Sequence, residues 1–161
     1  MEAHSELPMY LIALEESYRA VGEIYDLEMR TDLAKENFLK ALECVQKIIE
    51  IAPDNIDARR EYSWILFRFA NISEGQERIE YFEKCAEIRK QLCDEVEDMW
   101  SDMELADVYS TLGGAYSQQN DYAKTEEFYL KAFELYEKMR TTAETPHLLD
   151  SMARAYSGLG L

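Results

Sequence analysis

His4 and His147 are the only histidines in the chain. Neither has a serine, cysteine or aspartate at a spacing that would build a nucleophile and its base. His4 stands at the terminus, where a frayed end is expected, and His147 follows Pro146 at the start of a helix. The three cysteines, Cys44, Cys85 and Cys93, show neither a disulfide framework nor zinc-ligand spacing. They read as reduced, buried thiols acting as small apolar residues, which points to a cytoplasmic compartment. The acidic pairs Glu15-Glu16 and Glu126-Glu127 are adjacent on helices and point to different faces. Gly113-Gly114 lacks the lysine and the loop of a phosphate cradle. The expectation is no catalytic residue, no metal site, no cofactor and no enzymatic activity.

Charge narrows the partners. The net charge is −16. Phosphate recognition needs basic surface, so nucleic acid is disfavoured, and so is an anionic membrane surface. A basic protein or peptide remains compatible, although acidic residues also simply keep a surface soluble. Apolar residues make up 47% and charged residues 31%, which suits a folded domain. No apolar run approaches the ~18 residues of a membrane span. The opening MEAHSELPM has no signal-peptide core.

Helices must position whatever binds. Apolar residues recur at i, i+3, i+4 and i+7 on both sides of short polar breaks. The periodicity predicts helices over 7–29, 32–51, 55–71, 74–96, 101–119, 122–142 and 146–158, and no strand. Expected starts include Thr31-Asp32, Ser73 with Gln76, Ser101 with Glu104, and Asn120-Asp121.

These helices repeat. Tyr18, Val21, Gly22, Tyr25, Ala34, Phe38 and Ala41 have the same spacing as Tyr109, Leu112, Gly113, Tyr116, Thr125, Tyr129 and Ala132. Tyr62, Ile65, Leu66, Phe69, Arg78, Phe82 and Cys85 fit the same steps, and Leu149, Met152, Ala153 and Tyr156 begin a partial fourth copy. Gly113 falls one turn before Tyr116, where the second helix of the pair should cross. The cost of a helical glycine, ~1 kcal/mol against alanine, is then offset by closer packing. Gly114 points about 100° away, toward the inner face.

The pattern resembles the tetratricopeptide repeat, a helix–turn–helix unit of about 34 residues. Copies one and three match well, whereas copy two departs at Leu66, Arg78 and Cys85. The longer spacing resembles the long-repeat arrays of bacterial proteins. The resemblance implies an all-α solenoid of antiparallel helix pairs: about three and a half repeats, seven helices, wound as a right-handed superhelix. One domain over 1–161 is expected, with repeats at 10–52, 54–97, 101–143 and a partial 146–161. Two expectations remain for the end of the chain: a capping helix over 146–158 or, the favoured alternative, a fragment of a longer protein.

In this family the first helix of each pair lines a concave groove. The resemblance then places Arg19 and Glu23, then Arg60, Trp64, Phe67 and Asn71, then Ser110, Gly114 and Ser117, and finally Arg154 on the inner face. Trp64 and Phe67 stand out as large aromatics among polar neighbours, the form of an interaction hot spot. The alternative is that Trp64 packs against an adjoining helix. The arginines suit carboxylates, but equally suit nearby glutamates. One subset of the family grips a chain-terminal carboxylate with lysine, asparagine and arginine. The matching positions here hold Arg19, Glu23, Trp64, Asp107 and Thr111, a single basic residue among them, which argues against that ligand class. The function expected is a non-enzymatic scaffold that binds a peptide or partner helix, with a basic one compatible with the net charge. The alternative is a structural spacer or self-association segment of a larger regulatory protein, with a homodimer formed through Leu148, Leu149 and Leu159 at the open end.

Overall fold

Seven helices form where the 3.6-residue periodicity placed them, and no strand occurs among the described residues. The structure, a computed structural model, describes residues 3–141 and 146–159, with side chains over 7–141 and 148–158. His4, His147 and Leu159 were singled out above; their side chains lie outside the described residues. The fold is all-α, with helices in antiparallel pairs in the manner of tetratricopeptide repeats.

The chain divides into two compact units, Met1–Glu74 and Gly75–Leu161. The first unit holds α1 (Ala3–Leu27), α2 (Thr31–Ile51) and α3 (Ile56–Asn71). Its centre is Phe38, fully buried beside Gly22: a β-carbon on Gly22 would lie 3.0 Å from the Phe38 ring. Burying one such side chain stabilises by about 1.5–3 kcal/mol. Leu42, Val45 and Ile48 continue the buried stripe of α2, and Ala58, Ile65 and Phe69 line the buried side of α3.

The second unit holds α4 (Gly75–Glu95), α5 (Met99–Gln118), α6 (Tyr122–Arg140) and α7 (Pro146–Leu159). A β-carbon on Gly113 would lie 2.9 Å from the Tyr129 ring, so the notch of the first unit recurs between α5 and α6. Ala106, Ala132, Tyr136 and Met139 form a cluster with Leu148, Met152 and Ala155 of α7. Helix α7 is therefore apolar on one side. Leu148 belongs to the core, while Leu149 stays outside.

The turns after α1 and α5 share one geometry. Met29 and Asn120 take positive φ, 58° and 62°. The Arg30 N–H donates to the Tyr25 carbonyl at 2.8 Å, and the Asp121 N–H donates to the Tyr116 carbonyl at 3.1 Å. Both close a Schellman-type end. Only Asn120 carries a sequence signal for it, since asparagine tolerates that region and methionine does not advertise it.

The helix starts need correction at two places, Thr31 and Ser101. Thr31 lies inside α2, whose cap position is Arg30 and has no capping side chain. Ser101 receives a cap rather than giving one: its N–H donates to Asp98 Oδ1 at 2.6 Å. Ser73 donates back to the Phe69 carbonyl at 2.9 Å, as hydroxyls do near helix ends. Asp121 caps α6 as its position suggests, accepting from the Lys124 N–H at 3.2 Å. Helix α1 also starts ahead of Pro8, at Ala3.

Candidate functional site

Trp64 of α3 is half-buried between two guanidinium groups. Arg19 of α1 lies 5.4 Å from the ring centroid, and Arg68, one turn further along α3, lies 5.7 Å away. Both fall within the range of cation–π attraction. Arg68 also donates to Asp26 of α1 at 2.8 Å. Trp64 thus meets Arg19 of an adjoining helix and keeps part of its surface open.

Arg19 is the hub of this face. Its Nε is 3.2 Å from Glu15 and 3.0 Å from Glu61, and its Nη1 is 3.1 Å from Glu23. Burial pulls the guanidinium pKa down, but Glu61, Glu15 and Glu23 outweigh it and raise the value. Glu15 is only 4% exposed. Burial first, then repulsion from Glu61, pushes its carboxyl up to about 7, against the pull of Arg19. Isolated surface ion pairs contribute little, but a half-buried network fixes its side chains in one arrangement.

Beside Arg19 opens a cavity of about 300 Å³. Val45, Ile48 and Ala58 give it an apolar floor, with Ile12 at the side. Glu15, Glu16, Asp57 and Glu61 give it an acidic wall.

The other expected groove residues are placed as follows. Glu23 is engaged by Arg19. Arg60 and Phe67 are half-buried on α3. Asn71 is exposed and donates to the Phe67 carbonyl at 2.9 Å. In the second unit, Ser110, Gly114 and Ser117 are half-buried on α5. The group that approaches Gly114 is the Tyr129 hydroxyl, 3.4 Å from where a β-carbon would stand. Arg154 is exposed and paired with Asp150 on its own helix. Glu15, Glu61 and Arg68 were missed as members of the face. Glu61 with Arg19, and Arg68 with Asp26, join helices that are far apart in sequence, and nothing local announces those two pairs.

A second cavity, of about 640 Å³, lies in the second unit beside Cys93, Asp102 and Lys138. Asp102 accepts from Lys138 at 3.0 Å and from the Cys93 thiol at 2.9 Å. Burial, then the hydrogen bond and charge of Asp102, push the thiol up to about 11. A thiol held there is a poor nucleophile. Among the described residues, no cluster of histidine, cysteine and carboxylate side chains could hold a metal ion. Also among them, no helix is long and apolar enough to cross a membrane.

The family profile of the tetratricopeptide repeat matches residues 106–139. No curated protein matches the sequence significantly. Among solved structures, the crystal structure of BtubC (BKLC) from P. vanneervenii is similar, with a TM-score of 0.58 and 17% identity over 93% of this chain. The chain spans 58% of that protein's length. Both comparisons agree with the paired helices: the fold is a helical repeat of tetratricopeptide type.

Proposed function

We propose that the chain is a protein-interaction module that docks a peptide or helix of a partner on the α1–α3 face of its first unit, with Trp64 as the anchor. The observation that carries this reading is the half-buried indole held between Arg19 and Arg68. A rigid aromatic, partly open and bordered by charge, is what binding hot spots are made of. Phe67 and Arg60 on the same helix and Glu23 and Asn71 at its borders complete the contact surface. The acidic excess of the chain favours a basic partner. Its free cysteines suit a reducing cytoplasm. Ser110, Gly114, Ser117 and Arg154 offer the second unit a polar surface of its own, without an aromatic anchor. Self-association through α7 has weaker support, because Leu148, one of the leucines expected to mediate it, is buried in the core.

The test is selection of binders from a random peptide library on the purified chain, followed by affinity measurement. Trp64→Ala should weaken the selected peptides by about 30-fold, the ~2 kcal/mol of a hot spot. Helicity by circular dichroism should stay at the wild-type level. Peptides that bind the variant and the parent equally well would refute the assignment of Trp64.

A further inference from the structure

Three carboxylates share one guanidinium on the α1–α3 face. Glu15, Glu23 and Glu61 all lie within 3.2 Å of Arg19. The adjoining cavity adds Glu16 and Asp57 to its wall. Positive charge is therefore deficient there. Glu61 Oε1 is shut off from solvent and, although 3.0 Å from Arg19 Nε, receives no aligned hydrogen bond. Glu15 and Glu61 therefore compete for the one guanidinium, while the Glu61 side chain as a whole remains 36% exposed. The floor made by Val45, Ile48 and Ala58 is apolar. A bare metal ion has no use for such a floor, whereas an alkyl chain bearing a charged head does. The volume, about 300 Å³, is at the small end of ligand sites and suits one side chain.

We propose that this cavity receives a lysine or arginine side chain of the protein partner, with its charged head at Glu61 and Glu15 and its alkyl stem on Val45, Ile48 and Ala58. The proposal rests on the reading of the chain as an interaction module and names the group by which the partner is anchored beside Trp64. Charge complementarity selects the occupant, since an acidic or neutral side chain would deepen the deficit or leave it in place.

The experiment uses the full chain, labelled at its methyl groups, and n-butylammonium as the probe. Saturable shifts are expected at Ile12, Val45, Ile48 and Ala58. The neutral analogue n-butanol should not reproduce them, and Glu61→Gln should weaken the affinity at least tenfold. Glu127→Gln, which removes a surface pair with Lys131 elsewhere, should have no effect. In a second arm, library-selected peptides have each lysine or arginine replaced in turn by norleucine. One replacement should cost at least tenfold in the parent and much less in Glu61→Gln. Equal shifts with n-butanol, or indifference to Glu61→Gln, would overturn the proposal. So would spermidine binding to the cavity while lysine-bearing peptides do not, because the occupant would then be a free polyamine. Peptides that need Trp64 but tolerate every norleucine replacement would overturn this proposal and leave the module reading intact. Butylammonium binding with no peptide bound at all would overturn the module reading, and with it the protein source of the cation.

Discussion

Tyr129 occupies the space that a side chain on Gly158 would need: a β-carbon there would lie 2.2 Å from the ring. Gly113 stands on the other approach to the same ring, at 2.9 Å. One aromatic side chain on α6 is thus bounded by glycines of both α5 and α7. Overpacking typically costs about 1–3 kcal/mol, while alanine gains up to ~1 kcal/mol over glycine in a helix. Gly113→Ala and Gly158→Ala should each lower the melting temperature. In a Tyr129→Leu background the same changes should become neutral or stabilising, read as a double-mutant coupling energy. Gly114→Ala, whose β-carbon would make ordinary contact at 3.4 Å, should be neutral or stabilising in either background.

The burial of Glu15 makes stability depend on pH. Its carboxyl titrates near 7 in the folded chain, against an ordinary value of 4.5. The folded state therefore holds a proton that the unfolded state has released between those values. Stability from this group is fully present below about 4.5 and is lost as pH rises through about 7. Arg19 and Glu16 on α1, Glu61 and Asp57 on α3, and Cys44 on α2 are the charged and titratable groups around it. Glu15→Gln should flatten the melting-temperature profile from pH 4.5 to 7.5 and raise the value at neutral pH. An unchanged slope would show that the carboxyl is not the titrating group.

Cys93 should react slowly with a disulfide reagent at pH 8, because its thiol titrates near 11. Asp102→Asn removes the charge that opposes the thiolate and leaves Lys138 nearby to favour it. The variant should therefore react several-fold faster under native conditions. Equal rates in the two proteins would mean that burial alone sets the reactivity.

Met29 is 88% exposed and sits at a φ of 58°. A left-handed residue without glycine's freedom costs roughly 1–2 kcal/mol, of which glycine's larger chain entropy gives back part. Met29→Gly should raise stability by about 0.5–1 kcal/mol, and Met29→Val should lower it. Chemical denaturation of the three proteins provides the check.

The fold was legible because its signals are periodic and local. The spacing of Gly22 and Phe38, repeated at Gly113 and Tyr129, identified which helices pair and where they touch. Asp121 was legible as a cap for the same reason. Asp98 was not, because Ser101 nearby offers an equally good signal and only the backbone path decides between them. The candidate face was half legible. Trp64 and Arg19 could be placed by register, but their contact could not. Nor could the sharing of Arg19 with Glu61, 42 positions further along the chain than the hub itself, because an ion pair between helices has no sequence period. Gly158 escaped notice since its partner lies on another helix and its own neighbours carry no pattern.

Helix α7 has 14 residues, about the length at which an isolated helix is marginal in water. Its order is borrowed from the surface it leans on, through Leu148, Met152 and Ala155. Amide exchange along α7 will consequently report on the integrity of α6: whatever loosens the neighbour melts the borrower first, and whatever clamps α6 slows exchange in both together.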